Sequence, residues 1–483
     1  MIRLLAFLLL ALSPSAAGAA TRPAPLAPAP APAPPTAPAP LTLDEVLSAS
    51  ARAAPQIIEA LARIRQAEGR ALAAEGAFDT VFDLDARSRV AGYYDGTVVE
   101  GRATRPLTGN GGYVYGGYRA SRGTFPVYED QAYTNRRGEA KVGAVFALLR
   151  DRAIDERRTR RTLAGSDIDI ARLEAEMAAI GVQRRAVDAY QNWVATGLRL
   201  RAYRELLQLA EQRRGAIARQ VTLGARPAIL LTENDQNLVR RRALALRAEQ
   251  DFAVAANALS LYLRDEQGAP LTVAAERLPP DATALAGLGP VTRQAPAARP
   301  DYRAIMARID QAAARLMLAE NDLAPRLDLR GELGKDVGAV GRGGASRTPL
   351  EAAIGFRLTV PLQNRAARGR VAEARAEVGA LDQRSRFLRE QIAIEVESIV
   401  IAADAAERLV ATAREERDLA EQLAAAERRR FALGSGDFFL VNQREETAND
   451  ARLRLIDAQA RIAATRAELA ATTADRAALR LER

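Results

Sequence analysis

The side chains that most often carry catalysis or bind transition metals are absent: the 483 residues contain no Cys and no His. That removes thiolate nucleophiles, disulfides, Cys/His zinc sites and His general bases together. Asp and Glu remain for acid–base or metal chemistry. They show neither an EF-hand-like ligand spacing nor a clustered carboxylate pair. The sequence therefore offers no catalytic residue, no metal site and no cofactor motif, and the chain is read as not an enzyme. With no His and only four Met, it also offers no relay for soft metal ions. The net charge is +9, with 69 Lys+Arg against 60 Asp+Glu. Arg is interspersed with Glu and Asp along helical stretches, as on a solvated helix face. No Arg cluster is interleaved with aromatics as a stacking platform for nucleic acid requires, so no nucleic acid partner is expected.

What stands out instead is a pair of turns, Gly224-Ala225-Arg226-Pro227 and Gly434-Ser435-Gly436, each interrupting a long helical pattern. They belong to an internal repeat. Arg219-Gln220-Val221-Thr222-Leu223-Gly224 lines up with Arg429-Arg430-Phe431-Ala432-Leu433-Gly434, and Leu230-Leu231 with Leu440-Val441. Leu149, Arg152 and Arg157 line up likewise with Leu362, Arg365 and Arg370. Two copies of one structural unit must therefore position the two turns.

The elements of each copy follow from hydrophobic period. Residues 1–20 read as a cleaved export signal: Arg3, an apolar run from Leu4 to Leu12, then small residues around Ala17-Gly18-Ala19. That run is too short to span a bilayer, and no later stretch of about 18 apolar residues exists. Residues 21–40 form a Pro/Ala-rich leader that is disordered or polyproline-like. The first repeat spans 41–266, a Pro/Gly/Ala-rich connector 267–300 and the second repeat 301–483. Each repeat reads as helix, β-hairpin, long helix, helix. The first helix begins at Thr42 or Asp44 as cap. Strands are expected at 80–90 and 140–149 in the first half, with a Gly/Tyr/Asn-rich segment from Tyr93 to Arg137 between them. In the second half they are expected from Pro325 to Leu333 and Ala352 to Val360. The long helices, about 152–215 and 366–432, each span roughly 100 Å at about 1.5 Å per residue. The two shorter helices of a half, stacked end to end, match that length. Val371, Ala374, Val378, Leu381, Leu388, Ile392 and Ile399 follow a heptad, so the long helix carries a coiled-coil seam. Low aromatic content (5%) and abundant Ala suit closely packed helices better than a large globular core.

Each strand has one apolar and one polar face. Ile354, Phe356, Leu358 and Val360 suit lipid; Asp328, Arg330, Glu332 and Arg357 suit water. Four strands cannot close a barrel of useful width in lipid, where open edges are costly. Three chains would supply twelve, an even number in the range of known barrels. The alternative is two amphipathic hairpins packed on soluble helices.

At Val360-Pro361-Leu362-Gln363-Asn364-Arg365, followed by Arg368-Gly369-Arg370-Val371, the chain closely resembles the outer membrane efflux protein (TolC-like) family. Phe431 to Leu440 resembles that family's helix-to-helix turn at the periplasmic tip, with Arg219 to Leu231 as its first-half counterpart. The resemblance covers about residues 41–481. It implies an α+β membrane protein: a homotrimer with a long α-helical coiled-coil barrel and a 12-stranded transmembrane β-barrel, four strands per chain. The sheet would sit in outer-membrane lipid and the helices in the periplasm. The implied function is an exit channel of a tripartite efflux pump or type I secretion system. Its partners would be a periplasmic membrane-fusion adaptor and an inner-membrane pump of RND or ABC type. By position, the adaptor-docking turns are Leu223, Gly224, Ala225, Arg226, Leu433, Gly434, Ser435 and Gly436. The periplasmic constriction of such channels falls just past the second turn, near Glu233, Asp437, Phe438, Leu440 and Gln443. Leu440 and Gln443 stand where acids are common in the family, which points to a gate of apolar character. Each of these residues also suits plain helix packing or capping. The other reading of the whole chain is a periplasmic adaptor or coiled-coil scaffold. The duplication of the strand–strand–helix unit favours the channel.

Overall fold

The computed structural model describes residues 39–281, 285, 288, 299–341, 347 and 349–481. The expected export signal, nearly all of the leader and much of the connector lie outside the described residues.

The helices are α1 Leu43–Ala53, α2 Pro55–Glu75, α3 Glu156–Thr222, α4 Ile229–Leu259, α5 Pro300–Asn321, α6 Arg365–Ala432 and α7 Phe438–Thr472. Thr42 is the first cap, its hydroxyl accepting from the Glu45 amide at 3.2 Å. The expected first helix is broken at Ala54-Pro55, where the proline starts α2. Asp155 caps α3 and Asp437 caps α7, each through a side-chain oxygen. The 67 residues of α3 and 68 of α6 make each about 100 Å long.

The helices lie in four columns. α2 and α4 both pack on one side of α3; α5 and α7 both lie between α3 and α6. One edge column is thus α2 with α4, the other α6 alone. The main core is a belt midway along α3, where Trp193 is fully buried beside Tyr190 and stacks on Phe252 of α4 at 5.9 Å. Val46 and Leu47 of α1 and Leu479 after α7 close the same cluster. Away from the belt the buried residues become small: along α6 they include Ala367, Ala374, Ala403, Ala406, Ala413, Ala420 and Ala424. Small side chains let the helix backbones approach closely. The expected seam holds at Val371, Ala374, Ile392 and Ile399, all buried.

The strand count departs from the sequence reading. Six strands form one antiparallel sheet in chain order: β1 Val81–Ser88, β2 Thr97–Pro106, β3 Tyr113–Arg122, β4 Glu139–Ala147, β5 Arg326–Asp336 and β6 Glu351–Thr359. Four strands per chain, and hence twelve in a trimer, is corrected to six strands among the described residues. The Gly/Tyr/Asn-rich segment after β1 contains a second hairpin, β2–β3. Its glycines, which read as loop, serve close approach. A Cβ on Gly112 would meet the Val145 carbonyl oxygen at 1.8 Å, and one on Gly117 would meet the Gly101 oxygen at 3.1 Å.

Candidate functional site

The ladder register sorts the sheet into two faces. Phe82, Leu84 and Ala86 share a side with Val99 and Ala103 of β2, and these with Val114, Gly116, Tyr118 and Ala120 of β3. The same side continues through Val142, Ala144 and Phe146 to Leu329 and Leu333, then Ile354, Phe356 and Leu358. Among the described residues nothing covers it: Phe82, Leu84, Val142, Ile354, Phe356 and Leu358 are all exposed. An apolar face running over six strands of 8–11 residues is far larger than a water-facing patch in a soluble protein, and its height suits the hydrocarbon of a bilayer.

The opposite face is charged, and several of its charges pair across strands. Arg119 donates to Glu139 at 2.5 Å, and Lys141 pairs with Glu139 at 3.1 Å and Glu332 at 3.2 Å. Tyr115 lies across Gly143, where a Cβ would stand 2.4 Å from its ring, and its hydroxyl donates to Glu332. The guanidinium of Arg102 sits 5.2 Å above the same ring. This belt spans β2 to β5 and includes both strands of the unforeseen hairpin.

The edges of the sheet and of the helical layer coincide. β1 follows the edge helix α2 and β6 leads into the edge helix α6. Both edge strands are exposed along their whole length. α6 carries a second apolar row at seven-residue spacing, Phe387, Ile394 and Ile401, all exposed; α4 at the other edge exposes Val239, Leu246 and Val254. An exposed apolar row at heptad spacing, as on α6, is the kind of surface a coiled-coil seam presents.

The two tip turns are copies of one another. In the first, the amides of Leu223, Gly224 and Ala225 donate to the carbonyls of Arg219, Val221 and Gln220; in the second, those of Leu433, Gly434 and Ser435 donate to Arg429, Phe431 and Arg430. Gly224 and Gly434 take φ of +73° and +84°, the left-handed conformation that ends helices. No neighbour lies within 4 Å of a Cβ built on either, so the requirement is conformational. Gly436 differs: a Cβ there would meet the Phe431 amide nitrogen at 2.6 Å. Leu223 and Leu433 project into solvent, 82% and 84% exposed. Ala225 and Ser435 are exposed as well, and the half-buried Arg226 places its guanidinium 5.1 Å over the Phe431 ring, joining the two tips.

Four of the constriction candidates, Asp437, Phe438, Leu440 and Gln443, lie at the cap and on the first two turns of α7, and Glu233 lies on the first turns of α4. Asp437 is the α7 cap, accepting from the Phe439 amide at 2.6 Å. Phe438 is buried between Phe431 and Arg213, with centroid distances of 6.2 and 6.0 Å. Leu440 is half-buried, Glu233 and Gln443 are exposed, and Leu440 and Gln443 fall on one face of α7 at i, i+3 spacing. Beside Phe438 lies a buried charge node. Glu445 of α7 accepts from Arg213 of α3 and, at 3.1 Å, from Arg241 of α4; Asn442 accepts from Arg213 at 2.6 Å. Arg241 also donates to the Leu206 carbonyl at 3.0 Å. Burial pulls the Arg241 guanidinium below its ordinary value, against the opposing pull of Glu445. Sequence reading does not single out either arginine. Arg241 sits inside Arg240-Arg241-Arg242, which reads as a solvated run. Among the described residues no group of acidic side chains is arranged to hold a metal.

Residues 291–475 match the family model described as outer membrane efflux protein. No curated protein sequence matches the chain. The fold is that of solved outer-membrane channels. The Campylobacter jejuni CmeC outer membrane channel superposes with a TM-score of 0.60 at 14% identity, over 89% of this chain and 85% of that one. The Vibrio cholerae outer membrane protein VceC does so with 0.60 at 15% identity, over 89% and 96%. A membrane protein from Pseudomonas aeruginosa reaches 0.63 at 15% identity, over 89% and 92%. The Val360–Arg365 junction and the second tip turn fall within the residues that match the family model, and the fold is TolC-like.

Proposed function

We propose that three copies of this chain close into the outer-membrane exit duct of an export machine, conducting cargo passively from the periplasmic side to the exterior. One observation carries the reading: helical layer and sheet end at the same two complementary edges. An edge contact between unlike surfaces closes into a ring when the rotation allows. β6 of one copy would pair with β1 of the next, and the α6 row would meet the α2/α4 column. Six strands per chain, an even number, make β1 and β6 antiparallel at that junction, so the ladder closes without a break. A trimer then has eighteen strands, the size at which known barrels leave an aqueous channel. The apolar face would meet lipid and the belt from Arg102 to Glu332 would line water. The helices would extend into the periplasm as a tunnel of coiled coils.

The two tip turns are assigned to docking on a periplasmic membrane-fusion adaptor, which would couple the duct to an inner-membrane pump of RND or ABC type. Tripartite efflux and type I secretion both fit. Supporting this is the identical, exposed turn geometry of the two halves: a trimer would present six near-equivalent tips. A constriction near Leu440, Gln443, Glu233 and Asp437 belongs to the same proposal, with Phe438 acting from within the helix packing.

The test is direct. The mature protein should fractionate with the outer membrane and form conducting pores in planar bilayers; a soluble periplasmic monomer would overturn the reading. Gly224→Val combined with Gly434→Val forces a side chain into the left-handed region at both tips. Export should then be lost while the assembly persists, and unchanged export would remove the docking assignment.

A further inference from the structure

The segment joining β3 to β4, residues 123–138, starts and ends at the extremity of the sheet farthest from the helices. It does not extend away from the strands but turns back onto their polar face. At its start Gly123, at φ +90°, lies so close to Asp95 that a Cβ would meet the Asp95 carbonyl oxygen at 2.6 Å. Thr124 donates to the Asp95 carboxylate through its amide at 2.7 Å and its hydroxyl at 2.5 Å. Phe125 is buried flat over Gly96, its ring 2.5 Å from where a Cβ would stand, and Tyr133 meets it edge-on at 5.0 Å. Glu129 accepts from Arg89 at 2.6 Å. On the return, the Thr134 amide donates to Ser121 Oγ at 2.7 Å and the Asn135 amide to Asp336 at 2.7 Å.

The direction of the fold-back is settled by register. A cavity of about 290 Å³ lies between the segment and the strands. On the wall side it is lined by Arg87, Glu100 and Arg119, on the segment side by Phe125 and Glu129. Arg87, Glu100 and Arg119 belong to the polar face: Glu100 pairs with Arg119, and Arg87 with Val98 beside it. The segment exposes Val127 and Tyr128, 89% and 79% accessible although apolar or aromatic, with Tyr128 beside Arg89 at the rim of the wall.

We propose that residues 123–138 form an inward-folded ledge that narrows the outlet near the exterior, so that this ledge, and not the strand wall, sets the size limit for cargo leaving the duct. The ledge rests on the closed-barrel reading above, in which the polar face lines the bore. It also accounts for the extra hairpin. Adding β2 and β3 widens the wall, because barrel diameter grows with strand number, and the ledge lies over those same added strands. A ledge fixed by Asp95, Arg89 and Asp336 is a rigid part of the bore.

The absence of native Cys makes the test clean. Val127→Cys and Tyr128→Cys are placed singly in the full chain, and single channels are recorded in a planar bilayer while a bulky methanethiosulfonate reagent is added from the exterior side. Arg357→Cys on the polar face serves as a bore control and Ile354→Cys on the apolar face as a lipid control. Modification at 127 or 128 should lower conductance about twofold or more, as expected when side chains are added across a narrow section of a water-filled barrel. Arg357→Cys should respond more weakly and Ile354→Cys not at all. If Arg357→Cys responds while fully modified Val127→Cys and Tyr128→Cys do not, the ledge is wrong and the channel stands. If the unmodified protein forms no pores, the channel reading fails and the ledge with it. Replacing Glu129 by Gln, which frees the Arg89 anchor without cutting the backbone, should raise the mean conductance; an unchanged value in that variant also counts against a ledge.

Discussion

Between the short helix and the long helix the first half of the chain inserts four strands, β1 to β4, and the second half two, β5 and β6. At the other end of the same long helices the two halves share three backbone hydrogen bonds and a left-handed glycine. The difference shows what each end tolerates. A wall that closes by edge pairing needs only an even number of strands per chain, so a hairpin can be added in one half without disturbing the junction between copies. If the tips dock on one adaptor as proposed, a change in one half alone would break their equivalence. The halves differ again inside the tip. Glu445, buried between Arg213 and Arg241, corresponds in the repeat to Asp235, which pairs with Arg214 at 2.6 Å at the surface.

The largest expected effect comes from that last contrast. Glu445→Leu strands two buried guanidinium groups and should cost about 3–5 kcal/mol, read as a fall in the midpoint of thermal or denaturant unfolding. Replacing Arg213 and Arg241 by Met in the same chain should recover much of the loss, because the uncompensated charges are then gone; no recovery would show that the node acts through something other than charge burial. Next is the edge. Ile394→Glu with Ile401→Glu removes two apolar side chains from the α6 row, at about 1.5–3 kcal/mol each if they are buried between copies. The assembly should fall apart in detergent by light scattering while helical circular dichroism stays unchanged. Persistence of the assembly would mean that the row faces something other than a neighbouring copy. The smallest effect belongs to Asp235→Asn. Arg214 holds its carboxyl below the ordinary range through a solvent-screened pair, and its loss should leave the unfolding midpoint within scatter. A large shift there would make the two halves energetically alike and erase the contrast.

The helical plan was legible in the sequence because a long heptad repeats its signal many times. Val371, Ala374, Ile392 and Ile399 are each weak alone and together define a buried face. The tips were legible because Gly224 and Gly434 meet a backbone need that few residues can satisfy. The hairpin β2–β3 was not. Its apolar face is thin, with Val99 and Ala103 on β2 and Val114, Gly116, Tyr118 and Ala120 on β3, and its glycines carry the composition of a loop. Those glycines are set by neighbours on other strands, such as Val145 against Gly112 and Gly101 against Gly117, and such cross-strand approaches leave no local pattern. The charge node was hidden for a related reason: Arg213 and Arg241 look like the solvated arginines around them until α3, α4 and α7 are brought together.

The central claim is that the chain is one sector of a ring, joined β6 to β1. Leu84→Cys on β1 can be combined in turn with Ala352→Cys, Ile354→Cys, Phe356→Cys and Leu358→Cys on β6, which share its face, and oxidised in isolated outer membranes. The account predicts inter-chain disulfides for one or two neighbouring pairs, giving cross-linked products of two and three chains and none larger. Monomer alone for every pair, or a ladder running past three, would contradict it.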